Sequence, residues 1–280
     1  MTTKRQLIGV AAALAAAAAL PKQARAQGTG DVQQELSSES VIEGIKRRGV
    51  IRIGLGMFVP WSMRDTNGDL IGFELDVGRK LANEMGVEVE FVPTAWDGII
   101  PALIAGSFDV IISGMTITAQ RNLTINFSDP YAWSGATILA NRAMTEGFTI
   151  ESYNQPDVTF SARRGSNTAT YITQLFPDAR LLQFDEDGAS TQEVLNGNAH
   201  ATLASEPTPS REARNYPDTL HVPFNETFNA VGDSFGYRKG DPDAANFFNN
   251  WIRSQWRLGW LKERNDYWFR GTDWEDQVDL

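Results

Sequence analysis

"GFELDVGRKLANEMGVEVEFV", residues 72–92, changes its hydrophobic period half way along. Phe73, Val77, Leu81 and Met85 recur at the spacing of one helix face, and Gly86 follows as a helix-ending residue. Beyond it, "VEVEFV" alternates as a strand does. The neighbouring stretches have the same character. "VIRIGL" (50–55) is a β-branched run suited to a buried strand. "WDGIIPALIAG" (96–106) predicts a short helix with Asp97 as its N-cap, and "FDVIIS" (108–113) the next strand. Strands and helices alternating at this rhythm imply a parallel sheet covered by helices.

The rhythm resumes later with a second α/β set. It runs through "DVTFSA" (157–162), a turn "RRGSNTA", a helix to about Leu175, the strand "ARLLQF" (179–184), the helix "GASTQEVLNG" (188–197) and the strand "AHATLA" (199–204). Between the sets, "GATILANRA" (135–143) is extended and lacks a helix. "FGYRKG" (235–240) is a second extended passage, leading into one C-terminal helix, "DAANFFNNWIRSQWRLGWLKERNDYWF". Two α/β lobes joined by two strand-like crossings make a hinge-bending design, with the cleft between lobes as the default ligand site.

Length, charge and cysteine content bound the function. The 280 residues begin with Lys4 and Arg5, an apolar alanine-rich run, and Ala24-Arg25-Ala26, which together read as a cleaved export signal over residues 1–26. A polar leader is expected over 27–40. The signal carries four of the 25 basic residues and no acid, so removing it leaves 21 basic against 35 acidic residues, a net charge of −14. Such a surface repels phosphate backbones, so no nucleic-acid partner is expected. The absence of cysteine excludes a disulfide and a lipid anchor at the cleavage site. Two histidines, His200 and His221, and no cysteine offer no metal-spaced cluster, so no metal or other cofactor is expected.

The same residues resemble a known family. "GFELD", "WDGIIPAL", "SGMTIT" with Arg121 beyond it, "FSDPY" and "RKGDPDAANFF" fall in the order and spacing of the amino-acid-type periplasmic solute-binding proteins of ABC importers. The resemblance implies a two-lobed periplasmic-binding-protein fold (type II), each lobe a sheet flanked by helices. One lobe would comprise 41–137 plus 234–280 and the other 138–233. It also implies a monomer in the periplasm, a small amino-acid-like ligand and a permease partner in the inner membrane.

Site residues follow from the resemblance and from their own chemistry. Ser113, Gly114 and Thr116 end a buried strand in amides and hydroxyls that suit a carboxylate. Arg121 matches the family's carboxylate-gripping arginine. Phe58 and Trp96 match pocket walls, whereas Trp61, Trp133 and the C-terminal Trp251, Trp256 and Trp260 read as core or rim aromatics. In the second lobe Ser166 and Asn167 open a helix, where free amides favour an anion. Arg163 and Arg164 precede them, and two readings stay open: they bind a second acid group, or they pair with the acidic surface. Where family members carry two acids for the ligand ammonium, this chain has Gly56 and Ser205. Glu206 or Asp187 could substitute. The expectation is a binding protein and not an enzyme. One alternative is a cyclohexadienyl-dehydratase-like enzyme, whose second-lobe glutamate falls here on Thr208, with Glu206 two residues early. The other is an accessory binding protein for a partner enzyme or receptor.

Overall fold

The computed structural model describes residues 40–186, 188–224 and 226–278. The expected signal and all but the last residue of the leader lie outside these, as does Asp187. The chain starts with helix α1 (Val41–Arg48), strand β1 (Val50–Leu55), a small hairpin of β2 (Met63–Arg64) and β3 (Leu70–Ile71), helix α2 (Phe73–Met85) and strand β4 (Glu88–Pro93). Helix α2 and its following strand stand where the change of period puts them. Phe73, Val77 and Leu81 are fully buried, and the Gly86 N–H closes the helix on Ala82 and Asn83. Ile51, Ile53 and Leu55 of β1 are buried completely. At roughly 1.5–3 kcal/mol each, they anchor the first half of the sheet.

A single turn of 3-10 helix (Trp96–Gly98) leads into α3 (Ile99–Ile104), followed by β5 (Val110–Ile111) and α4 (Ala119–Asn122). Asp97 is not the N-cap that its sequence position suggests. The helical turn opens two residues earlier, with Ala95 as its N-cap, because Trp96 is buried in a cluster with Ile99, Leu103 and Phe108, which leaves Asp97 exposed within the first turn. Its charge still suits the positive helix end.

The first crossing is longer than expected: β6 runs from Asn126 to Asn141. After α5 (Arg142–Thr145) come β7 (Thr159–Arg163), α6 (Asn167–Leu175), β8 (Arg180–Phe184), α7 (Ala189–Leu195), β9 (Ala201–Ser205), α8 (Thr208–Asn215) and β10 (Leu220–His221). The return crossing is β11 (Phe228–Tyr237). Helices α9 (Pro242–Arg257) and α10 (Trp260–Asn265) follow. The expected single C-terminal helix is broken at Gly259, which takes a left-handed φ of 77° that side chains with a Cβ avoid, so the chain turns and Trp260 starts anew.

The strands join in one curled sheet of order β4-β1-β5-β11-β6-β9-β7-β8, with β10 paired to β6. Pairing is parallel within each half (β1 with β4 and β5; β7 with β8 and β9) and antiparallel where β6 and β11 run beside each other. Cores form on both sides of that ladder. Ile53, Phe73, Tyr131, Phe235 and Trp251 belong to one cluster, and Ile138, Phe160, Ile172 and Leu203 to another. The fold is thus two-lobed α/β. Among the described residues no helix is long and apolar enough to cross a membrane.

Candidate functional site

Parallel strands ending on the same side of each half leave a cleft. Its cavity of about 300 Å³ is walled by both halves. Phe58, Trp96, Ser113, Gly114 and Thr116 reach it from the first. Ser166, Asn167, Ser205 and Thr208 reach it from the second, together with Arg163 and Arg211. Hydrogen bonds join the halves beside the cavity. Trp96 Nε1 donates to the Gly165 carbonyl at 3.2 Å and Arg121 Nη2 to the same oxygen at 3.4 Å. Asn167 Nδ2 donates to Thr116 Oγ1 at 3.1 Å, and Thr208 Oγ1 to the Val59 carbonyl at 3.3 Å.

Some of the expected ligand-binding groups make contacts within the protein. Ser113 Oγ accepts the Gly56 N–H at 2.7 Å. The Gly114 N–H donates to the Tyr131 hydroxyl at 3.0 Å, which in turn donates to Glu74 Oε1 at 2.7 Å. The Gly114 amide is therefore turned toward the core, not toward the cavity as expected. Its φ of +50° sets this turn, and the nearest atoms to a Cβ placed there are Glu74 Oε1 and the Trp61 ring at 3.7 Å. Glu74 is fully buried, and desolvation pushes its carboxyl up to about 8 against the opposing hydrogen bond from Tyr131. Thr116 Oγ1 lies 3.3 Å from Asp233 Oδ1; burial raises that carboxyl to about 6 while Ser134, Thr116 and the Arg121 charge pull it down.

Arg121 is held inside the cleft but is not among the wall residues. Thr118 caps the short helix that carries it, and its Nη1 donates to the Thr116 carbonyl at 3.0 Å. The guanidinium lies over Trp96 at 5.5 Å. Desolvation, and after it the nearby charge of Arg163, lowers its pKa. Glu206 is also not on the wall; its Oε2 accepts the Ser210 N–H at 3.4 Å. Ser166 is on the wall but works as the N-cap of α6, accepting from Ala169 N at 3.1 Å and donating to the Arg163 carbonyl at 2.7 Å.

The two arginines before it part company. Arg164 is exposed and pairs with Asp185 at 2.6 Å. Arg163 turns inward, its guanidinium 4.3 Å from the centroid of Trp96 and 5.4 Å from that of Phe58. A Cβ on Gly56 would lie 3.4 Å from Trp96 and 3.8 Å from Arg163 Nη1, so position 56 borders this cation. Trp61 is buried against Phe73 and Phe269, and Trp133 is an exposed rim residue beside Trp256. His200 Nδ1 accepts the Thr159 N–H, a structural role.

Sequence reasoning missed α8. It brings Arg211, Glu212 and, just beyond its end, Tyr216 to the wall, facing Ser190, Thr191 and Gln192. Thr208-Pro209 at its start is the signal that could have found it, since proline suits the first turn of a helix. Arg211 Nε and Nη2 both donate to Glu212 Oε1, at 3.2 and 2.8 Å.

This architecture has close counterparts. A solved structure of AncCDT-1, described as an ancestral amino acid-binding protein and a precursor of cyclohexadienyl dehydratase, superposes with a TM-score of 0.77 at 36% identity, over 82% of this chain and 100% of that one. The L-cystine-binding protein TcyJ of Escherichia coli K12 is 28% identical over 86% of this chain and 90% of that protein. The cyclohexadienyl dehydratase of Pseudomonas aeruginosa is 24% identical over 83% and 87%. A family model matches residues 51–271, nearly the whole two-lobed body. On that match the chain belongs to the bacterial extracellular solute-binding proteins, family 3.

Proposed function

We propose that the chain is the periplasmic substrate-binding component of an ABC importer and takes up an amino acid or amino-acid-like carboxylate by closure of its two lobes. The carrying observation is the cavity of about 300 Å³ between the halves, with hydrogen bonds crossing directly beside it. Family membership and the amino-acid-binding relatives support the same reading. The closed arrangement gains population only through contacts that the open one lacks, and a bound ligand adds to them.

In this reading the ligand carboxylate takes the place of the Gly165 carbonyl on Arg121 Nη2, the longer of that guanidinium's two contacts at 3.4 Å. The first-turn amides of α6 at Asn167 and Thr168 face it from the second lobe, where a helix leaves its N–H groups without intrahelical partners. Phe58 and Trp96 flank the site. The lobes are assigned as 41–137 plus 234–280 and 138–233, and the protein acts as an exported monomer that presents its closed form to the permease. Arg121→Ala is expected to weaken ligand binding by roughly 2–4 kcal/mol in calorimetry, the cost of removing one partner of a desolvated charge pair. Unchanged affinity in a folded variant refutes the assignment.

The dehydratase relative supports a second reading. In that reading a glutamate in the second lobe acts as general acid; here Thr208 stands at the corresponding position and donates to Val59, while Glu212 on the wall is bound by Arg211. Turnover of prephenate or arogenate by the purified protein would establish the enzyme and displace the transport reading.

A further inference from the structure

We infer that Arg163 is a specificity-determining residue: its guanidinium, brought by the second half, fills the aromatic slot that Phe58 and Trp96 of the first half offer at the cavity, and denies that slot to the ligand's own side chain. This deepens the binding reading above, on which it rests. It narrows the substrate class to amino acids or amino-acid-like carboxylates whose far end is not a cation.

A guanidinium or ammonium within about 6 Å of a ring centroid is drawn to the ring face, and to tryptophan most of all. Phe58 and Trp96, both on the wall, are therefore the natural seat for a ligand that ends in a cation. The chain seats its own cation there. The Arg163 guanidinium lies 4.3 Å from the Trp96 centroid and 5.4 Å from that of Phe58, and its flat, weakly hydrated head suits contact with rings. Arg121 lies over the same Trp96 ring at 5.5 Å. Phe58 also stacks on the buried Trp61, with centroids 6.4 Å apart, so the core braces the ring. A ligand cation would have to displace Arg163 to take this seat.

The backbone holds the arginine in that place independently of the ring contacts. Arg163 pairs with Phe184 at the end of β7, and its carbonyl accepts the Ser166 N–H at 3.2 Å and the Ser166 hydroxyl at 2.7 Å. Gly165 lies inside this turn with a φ of 69°, and its carbonyl accepts from Trp96 Nε1 at 3.2 Å. One tight turn thus carries the cation and fixes the ring that receives it. Room for the guanidinium comes from Gly56. A Cβ there would lie 3.4 Å from Trp96 and 3.8 Å from Arg163 Nη1, so a longer side chain would press on both. Elsewhere on the wall Ser190, Thr191, Gln192 and Ser205 offer hydroxyl and amide groups, which suit an uncharged polar end.

Calorimetry on the purified exported protein with the protein α-amino acids tests this, L-arginine and L-lysine being the critical probes. The unaltered protein is expected to bind at least one non-basic amino acid, with L-glutamine tried first, about tenfold or more tightly than either basic probe. Arg163→Ala empties the slot and is expected to raise L-arginine affinity by about tenfold or more, the scale of a desolvated cation–π contact. Such a gain does not arise from misfolding. Arg164→Ala removes the same charge one residue on, from an exposed pair with Asp185, and should leave L-arginine affinity unchanged. An equal gain in that variant would make the effect one of net charge and overturn the inference. Tight binding of L-arginine or L-lysine by the unaltered protein, or no gain in folded Arg163→Ala, also overturns it and leaves the transport reading standing. Silence of every α-amino acid toward the unaltered protein and Arg163→Ala alike overturns both.

Discussion

Glu74→Gln isolates the most strongly perturbed carboxyl beside the site. The side chain is fully buried beneath Gly114, accepts from Tyr131, and titrates near 8 instead of 4.5 because burial penalises the anion. A carboxyl whose folded pKa is raised contributes stability that is complete below 4.5 and is lost as pH climbs through about 8. Asp233 behaves in the same sense between 3.8 and about 6, so the interval from pH 6 to 8 belongs mainly to Glu74. At about 1.4 kcal/mol per pH unit, and allowing for the flattening near the midpoint, the unaltered protein should lose about 2 kcal/mol across that interval through this group. Glutamine keeps the acceptor for Tyr131 and cannot ionise. Its amide nitrogen falls where Glu74 Oε2 already lacks a partner among the described residues, a penalty of about 1–3 kcal/mol that does not vary with pH. The assay is urea unfolding of both proteins at pH 6 and pH 8. The difference between them should shift by about 2 kcal/mol in favour of the glutamine variant at the higher pH. A difference that stays constant would show that Glu74 ionises normally and that the buried chain from Gly114 through Tyr131 is misdescribed.

Trp96→Phe keeps an aromatic wall but removes the donor to Gly165; ligand affinity should fall by about 0.5–1.5 kcal/mol, and small-angle scattering of the unliganded protein should show a larger radius of gyration. Gly56→Asp is accommodated, since its Cβ meets Trp96 and Ser113 at 3.4 and 3.5 Å. Its carboxylate adds a negative charge at the cavity wall, on a Cβ 3.8 Å from Arg163 Nη1, and should weaken binding of a carboxylate ligand severalfold by calorimetry. Arg164→Ala removes an exposed pair with Asp185 and should change stability by less than about 1 kcal/mol and binding not at all, in contrast to Arg163→Ala.

Much of the frame is readable in the sequence because its periods are strong. Phe73, Val77 and Leu81 mark a helix face, and β1 occupies the β-branched run 50–55. The roles of individual polar groups are harder to read, because they depend on partners far away in the chain. Nothing local tells that the Gly114 amide will turn to Tyr131, or that Asp97 will sit inside a turn opened by the buried Trp96. The split between Arg163 and Arg164 was open to a closer reading. Phe160 and Ala162 pack in the core, so strand alternation sends Arg163 to the opposite face, while Arg164 lies past the strand end. Arg211 and Glu212 stayed hidden because "EPTPSREARN" is almost wholly polar and offers no apolar stripe to reveal its helix.

The pairing of β6 with β11 constrains how the molecule can move. Their ladder runs from Phe228–Ala136 to Tyr237–Asn126, with register shifts between Phe228 and Val231 and on either side of Ser234. A ribbon of this kind flexes and twists readily, but it does not slip lengthwise, because displacement by one residue would invert every side chain along it. In the proposed closure this ladder would bring Trp96 back to Gly165 and Asn167 back to Thr116. Discrimination among solutes can then reside in fixed distances, with no need for a gap that reshapes itself around each guest.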